Sequence, residues 1–327
     1  MTLNMNDILE VLLPVLRLFG FTIAGFLVFK IDLVRKALLK PFVWAFTTVV
    51  FPLYFIHLLP THWSAGAESG WIWFGVFFAA YLVFLGLQIL VARLLINRVP
   101  LMKTEYPREF LVIFAMHNAG YIPLPIIAAL APAVVSLYLS FYVMAFVILF
   151  FTVAVWIIQG SSGGRTRLTV NAPMVGIALG LIVAVSGIYP NLPGWVRAPF
   201  RFASTIALDG AMIVLGAVLA SIPAKALRYR REFGGYVLIK MILFPAVVLG
   251  GLAFVTLRGV TADVAAGIKL AMVLEAAVPP ATNIMVITRA YGTDAQVEYA
   301  GSAIITSYAA GLVLMPIFLI LSRVVFS

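Results

Sequence analysis

Apolar runs about 20 residues long, separated by short polar stretches, make up almost the whole of this chain of 327 residues. A helix needs about 20 apolar residues to cross the hydrocarbon core of a bilayer, which is about 30 Å thick. Apolar residues make up 64% of the chain and charged residues only 10%, unlike a soluble globular domain. The sequence therefore predicts an all-α membrane protein of about ten transmembrane helices. We place helices 1 to 10 at residues 8–29, 38–59, 71–96, 109–130, 133–158, 172–190, 198–221, 234–257, 265–290 and 297–325.

The Lys and Arg residues that give the chain its net charge of +10 are concentrated in alternate connections between helices. Alternate connections, beginning with the one after helix 1, hold fifteen of the 22 Lys and Arg residues, whereas the other connections and the C-terminal end hold five. Because cytoplasmic loops are enriched in Lys and Arg, we expect an inner (plasma) membrane protein with both termini outside. The basic excess then follows from membrane topology, and no nucleic-acid partner is expected. Cysteine is absent, so the chain can form neither a disulfide nor a cysteine metal site.

Two short segments recur in the two halves of the chain. Leu13-Pro14-Val15 corresponds to Ala172-Pro173-Met174, and Lys40-Pro41-Phe42 corresponds to Ala198-Pro199-Phe200 at nearly the same offset. A glycine- and serine-rich linker lies between them. We predict a first repeat at 1–158, a linker at 159–171 and a second repeat at 172–327. Because five helices per half is an odd number, the second repeat must be inverted in the membrane, an organisation typical of transporters.

Helices 4 and 9 each contain a proline pair in mid-span. Pro123 and Pro125 follow a polar stretch in helix 4, and Pro279 and Pro280 are adjacent in helix 9. Each proline removes a backbone donor and clashes with the carbonyl four residues earlier. Backbone freed in this way is tolerated only where it packs in protein or lines a watery cavity. A simple kink explains one such break, but a matched pair in two halves favours a binding site.

These segments resemble the auxin efflux carrier family, which includes plant PIN-formed auxin carriers and bacterial malonate or dicarboxylate transporters. The resemblance is carried by Glu275–Pro316, by Asn118, Gly120 and Pro125 in helix 4, by Lys240 and Pro245 in helix 8, and by Leu208–Ala217 in helix 7.

The resemblance implies that helices 4 and 9 cross at their breaks to form the substrate site. It also implies a scaffold of helices 1, 2, 6 and 7, a mobile set of helices 3–5 and 8–10, and a homodimer. Arg17 departs from the family, which is usually apolar at this position of helix 1.

The breaks suggest how a small organic anion or carboxylate would bind. A helix that restarts after a break directs free amides and the positive end of its dipole towards the crossing. We predict substrate contacts from Asn118, Gly120 and Asn283, together with the four prolines Pro123, Pro125, Pro279 and Pro280. For the asparagines, hydrogen bonding between helices is the alternative interpretation.

Four ionisable residues within the spans are candidates for coupling or charge compensation, because charges at the bilayer centre are costly. Arg17 could bind substrate or pair with Asp209, and Lys240 lies within snorkelling reach of the interface. Glu275 could bind Na⁺ together with Asn118 and Thr282, take up a proton, or form a salt bridge to Lys240. The nearby His117 could make a packing hydrogen bond or handle protons.

Other function classes fit the sequence less well. The chain has no His-Glu-x-x-His motif, no Gly-x-Ser-x-Gly motif, no nucleotide-binding fingerprint and no pair of deep aspartates, so we expect neither an enzyme nor a cofactor other than Na⁺ or H⁺. An anion channel and a non-transporting receptor remain alternatives. So does a Na⁺- or H⁺-coupled symporter of the bile-acid-symporter type.

Overall fold

A computed structural model describes residues 5–63, 70–160, 171–222 and 230–326. Within these residues the chain is helical, and extended backbone pairs at a single isolated bridge. Most of the predicted linker, 159–171, lies outside the described residues, and so do four of the cations used to predict topology. These four are Arg165, Arg167, Lys225 and Arg228.

The helices follow the predicted order. We label them α1 Met5–Lys30, α2 Asp32–Trp63, α3 Gly70–Arg98, α4a Pro107–Ala115, α4b Pro123–Leu130, α5 Ala133–Gln159, α6 Ala172–Ser186, α7 Gly194–Ala220, α8 Arg231–Ala253, α9a Ala262–Ala277, α9b Ile284–Tyr291 and α10 Asp294–Phe326. Three of the described helices contain a π-helical turn: Phe46–Val50 in α2, Phe150–Ala154 in α5 and Val237–Leu243 in α8.

Seven of the described helices are long and apolar enough to cross a membrane, namely α1, α2, α3, α5, α7, α8 and α10. Helix α6 is apolar but shorter than the predicted 172–190, because Gly187 adopts a left-handed conformation with φ of 65° and ends the helix at Ser186. Predicted helices 4 and 9 are each a pair of shorter helices. A multi-pass, all-helical protein is therefore confirmed for the described residues, whereas ten spans in an inverted repeat stay a prediction.

Glycines bring two pairs of helices into close contact. In the α1–α7 pair, a Cβ added at Gly216 would clash with the carbonyl oxygen of Thr22, and one added at Gly25 would clash with that of Ile213. In the α2–α6 pair, Gly176 lies against Pro52, and a Cβ at Gly180 would lie 2.6 Å from the carbonyl oxygen of Phe55. Small residues permit such backbone contact between membrane helices. Each pair joins a helix of the first half to one of the second.

The other helices pack as two groups around the broken segments. Helix α3 contacts α4a and α5, and α9a contacts α8 and α10. The segment from α4a to α5 is largely buried, as is α9a from its middle onwards. The broken helices therefore lie inside the protein, where other chain segments can satisfy their backbone groups. The division into scaffold and mobile helices stays a prediction.

Candidate functional site

Both predicted helix breaks are present. Helix α4a ends at Ala115 and α4b begins at Pro123, while α9a ends at Ala277 and α9b begins at Ile284. Pro123 is the first residue of α4b, where a missing amide hydrogen costs nothing, so it both stops one helix and starts the next. Pro279 and Pro280 lie inside the second break and prevent α9a from continuing.

The two breaks lie side by side and satisfy each other's backbone groups. The amide of Asn118 donates to the carbonyl of Pro279 at 2.9 Å, and the amide of Ala281 donates to the carbonyl of Met116 at 2.8 Å. His117 and Pro280 thus face each other in an isolated antiparallel bridge. Unpaired backbone groups in a membrane interior cost several kcal/mol each, so this short ladder stabilises both interruptions.

Side chains from α3 and α8 satisfy the carbonyls at the end of each broken helix. With its amide nitrogen turned towards α4a, Gln88 of α3 donates to the carbonyls of Ala115 at 3.0 Å and Phe114 at 3.1 Å. Lys240 of α8 donates to the carbonyl of Ala276 at 2.7 Å and is fully buried. The prediction that Lys240 reaches the interface was therefore wrong. Its ammonium group turns to the break, where a free carbonyl oxygen is available.

A cavity of about 320 Å³ lies beside the paired breaks. Four of the predicted site residues line it: Asn118, Gly120, Thr282 and Asn283. Most of the remaining wall is apolar and aromatic, with contributions from α2, α4b, α5 and α9b, including Phe51, Phe55, Tyr121, Phe146 and Phe151. Polar residues from two breaks that are distant in the sequence thus line one cavity.

Sequence reasoning missed polar residues on this cavity from two other helices. Thr47 and Thr48 come from the π-helical turn of α2, and Asn171 caps the start of α6 by accepting from the amide of Met174 at 3.0 Å. Two adjacent threonines inside an apolar span could have indicated a polar part of a cavity wall. Asn171 directly before Ala172-Pro173 was also a recognisable helix start.

Asn118 both lines the cavity and joins helices. Its side-chain nitrogen donates to the Tyr308 hydroxyl of α10 at 2.7 Å, and its side-chain oxygen accepts from the amide of Tyr121 at 3.1 Å. Asn283 precedes α9b without capping it through its side chain. The two asparagines therefore differ: Asn118 is held by hydrogen bonds to other residues, whereas the side chain of Asn283 makes no capping hydrogen bond to α9b.

The four prolines shape the site from outside the cavity wall. Pro123, Pro279 and Pro280 border the breaks but are absent from the lining of this cavity. Pro125 lines a second cavity, of about 470 Å³, which also contains Arg17 and Asp209. Arg17 Nη2 lies 2.8 Å from Asp209 Oδ2, so the pairing predicted as one of two alternatives is formed.

Glu275 is not among the described residues that line the cavity at the breaks. It is fully buried, and its Oε2 lies 3.2 Å from His117 Nε2, which in turn lies 2.8 Å from the Tyr142 hydroxyl. The alternative salt bridge to Lys240 does not form, because Lys240 bonds to the Ala276 carbonyl instead. Oε2 thus lies within ion-pairing distance of His117, whereas Oε1 has no hydrogen-bond partner among the residues that the structure describes.

The three predicted sodium ligands are therefore divided between two places. Asn118 and Thr282 line the cavity, whereas Glu275 faces His117. In the described ranges, no three His, Asp or Glu side chains gather as metal ligands.

Comparison with known proteins identifies a family for the second half. No curated protein matches the chain significantly. Residues 165–319 match the model of a family described as membrane transport protein. This range contains Arg17's partner Asp209, the buried Lys240 and Glu275, and the whole second break. The family comprises membrane transporters rather than enzymes. A membrane transport domain of the auxin efflux carrier family is thus present at residues 165–319 of this chain.

Proposed function

We propose that this protein is a secondary transporter that moves small organic anions, chiefly carboxylates with an apolar body, by alternating access. The observation that carries the proposal is the cavity at the paired breaks, where Asn118, Thr282 and Asn283 lie within aromatic and aliphatic walls. Its volume of about 320 Å³ falls at the lower end of the range for small-molecule sites. The polar residues would bind the carboxylate and the walls would bind the rest of the molecule.

Neutral polar groups suit a site that must also release its ligand. Helices α4b and α9b both begin next to the cavity, so their amides and dipoles favour an anion without fixed positive charge. No Lys or Arg is among the lining residues that the structure describes. Such a site binds an anion by many weak donors, which favours turnover over tight retention.

The packing suggests which parts move. The glycine contacts of α1 with α7 and of α2 with α6 fit a rigid scaffold, and the broken helices pack mainly with α3, α5, α8 and α10. We place the transport motion between these two sets, as an elevator or rocking movement. Asn171 at the start of α6 borders the cavity. With the predicted topology, the cavity therefore opens towards the cytoplasm in this conformation.

We place coupling to an ion at Glu275. Its carboxylate is fully buried beside His117, and its Oε1 has no hydrogen-bond partner in the described part of the chain, so it is suited to accept a proton or a cation. Removing the negative charge by Glu275→Gln is expected to abolish the dependence of transport on that ion. Uptake measured with Na⁺ or K⁺ at two pH values identifies the ion.

Ligand-induced thermal stabilisation of the purified protein tests the substrate class. Binding to the folded state stabilises by about 2.7 kcal/mol at a hundredfold excess over Kd. We expect indole-acetate and phenylacetate to stabilise more than malonate or malate, because the walls of the cavity are mainly apolar. The same ligands should show saturable uptake into proteoliposomes, whereas a channel would not saturate.

Variants assign the stabilisation to the cavity. Asn283→Ala should remove most of the ligand-induced shift, because Asn283 lies on the cavity and does not cap its helix. Asn191→Ala, in an exposed turn between α6 and α7, is the matched control and should leave the shift unchanged. Stabilisation by neutral solutes and none by any carboxylate would reject the proposed substrate class.

A further inference from the structure

The second cavity, of about 470 Å³, is not used by the proposed function. It lies between α1, α7 and α4b. Its polar groups are Arg17, Ser204, Thr205 and Asp209, and Pro125 contributes to the wall. The hydroxyls of Ser204 and Thr205 bond to carbonyls of their own helix at 2.7 Å each. Arg17 and Asp209 are therefore the groups that give this cavity its chemistry.

Arg17 lies near the middle of α1, and much of its side chain is not covered by other residues of the described chain. Its side chain is 67% exposed and that of Asp209 is 32% exposed. A charged side chain at mid-membrane faces a protein interior or a water-filled cavity, because exposure to lipid is too costly. This argument favours a water-filled cavity around the ion pair, which water-soluble ions can also enter.

The pair leaves most of the arginine's binding capacity free. Among the described residues, one guanidinium nitrogen, Nη2, contacts one carboxylate oxygen of Asp209 at 2.8 Å. A guanidinium group has five N–H donors in a planar fork that matches a carboxylate with two parallel hydrogen bonds. A second carboxylate can bind the free donors or replace Asp209. Replacement costs little, since exposed ion pairs contribute little stability.

One short helix separates this cavity from the cavity at the breaks. Gly120, Tyr121 and Leu124 line the first cavity, and Pro125, Ala128 and Ala129 line the second. The chain passes from one cavity to the other along α4b, away from the break. With the predicted topology, α4b runs outwards from the break, so the second cavity lies in the outer half of the membrane.

We propose that the second cavity is a binding site for small carboxylates, at which Arg17 binds the carboxylate of the transported anion and Asp209 competes with it. The site rests on the proposed function and extends it, because it receives the anion on the outer side of the breaks. Asp209 keeps the affinity low, so that the anion exchanges instead of being trapped.

Single-cysteine labelling tests occupancy of the site directly, because the chain contains no cysteine. Ala128→Cys places a thiol on the exposed wall of the second cavity, and Thr48→Cys places one on the wall of the first. The probe is phenylacetate, added to the full-length protein before a water-soluble thiol reagent. We expect phenylacetate to slow labelling at both positions.

Substitutions of the ion pair separate ligand binding from a structural role. Arg17→Gln should weaken protection of the position 128 thiol by about tenfold or more, the loss expected for a charge-assisted bidentate contact. Asp209→Asn should strengthen it, because the competing carboxylate is gone. The double variant keeps a neutral hydrogen-bonding pair. A purely structural pair predicts that the double variant recovers protection, whereas the proposed site predicts that protection stays weak.

The Asp32–Arg35 ion pair on α2 provides a matched control. Asp32→Asn and Arg35→Gln should leave protection unchanged at both thiols. Protection at position 48 without protection at position 128 would overturn the second site and leave the proposed function intact. Protection at neither position, at any phenylacetate concentration, would overturn both.

Discussion

The two helix breaks leave backbone carbonyls unpaired, and different residues satisfy these carbonyls at each break. In both, a long side chain from a neighbouring helix donates to a carbonyl at the end of the first half-helix: Gln88 at the first break and Lys240 at the second. The first donor is neutral, whereas the second is charged and lies near the acidic Glu275. Geometry alone does not require this difference, because an amide satisfies the carbonyls equally well. The positive charge at the second break instead lies near Glu275, the residue at which we propose coupling.

The largest expected effect comes from removing each donor. Lys240→Met should lower the free energy of unfolding more than Gln88→Met, because it leaves the Ala276 carbonyl unpaired and also removes a positive charge near the buried Glu275. Gln88→Met should cost about 1 to 3 kcal/mol, the penalty of unpaired carbonyls alone. Thermal and denaturant unfolding of the purified protein measure both. Lys240→Gln, which restores a donor without charge, should fall between them, and equal losses for Lys240→Met and Gln88→Met would contradict the comparison.

A smaller loss of stability should follow from removing one side-chain contact at the first break. Tyr308→Phe removes the acceptor for the Asn118 side chain, which we expect to cost about 1 kcal/mol. Unfolding measured with and without ligand should also show a smaller ligand-induced stabilisation, because Asn118 loses the partner that orients it beside the cavity. Tyr291→Phe, at a half-exposed position, serves as the control. An unchanged stability in Tyr308→Phe would show that Asn118 finds another partner.

The smallest effect should come from Pro123→Ala. Pro123 is the first residue of α4b, where alanine is also accepted, so stability should fall by about 0.4 to 1 kcal/mol through the unfolded state. The break itself should persist, because hydrogen bonds of Asn118 and Ala281 hold it. Unchanged uptake would agree with this. A loss of uptake larger than the loss of stability would mean that the proline, and not the backbone ladder, maintains the break.

Local rules predicted the breaks, since proline removes a helical donor wherever it occurs. The family resemblance, together with the matching places of the breaks in the two halves, predicted that Asn118 and Asn283 share a site. Local rules could not predict Gln88 or Tyr308 as partners, because these contacts depend on how separate helices rotate against each other. Snorkelling of Lys240 to the interface was one of two interpretations, and it is wrong. Lys240 lies in a π-helical turn, a local change of helical geometry that hydropathy does not reveal.

The close contacts made by Gly25, Gly176, Gly180 and Gly216 have a consequence for biosynthesis. Helices α1 and α2 are made first, but their closest partners, α7 and α6, belong to the second half of the chain. Membrane helices insert individually and associate afterwards, so α1 and α2 lie in the bilayer before their partners α7 and α6 have been synthesised. A chain that stops before Gly194 therefore lacks α7, the helix against which α1 packs. We expect such truncated products to be recognised and degraded by the cell, although most of their apolar helices have already been inserted.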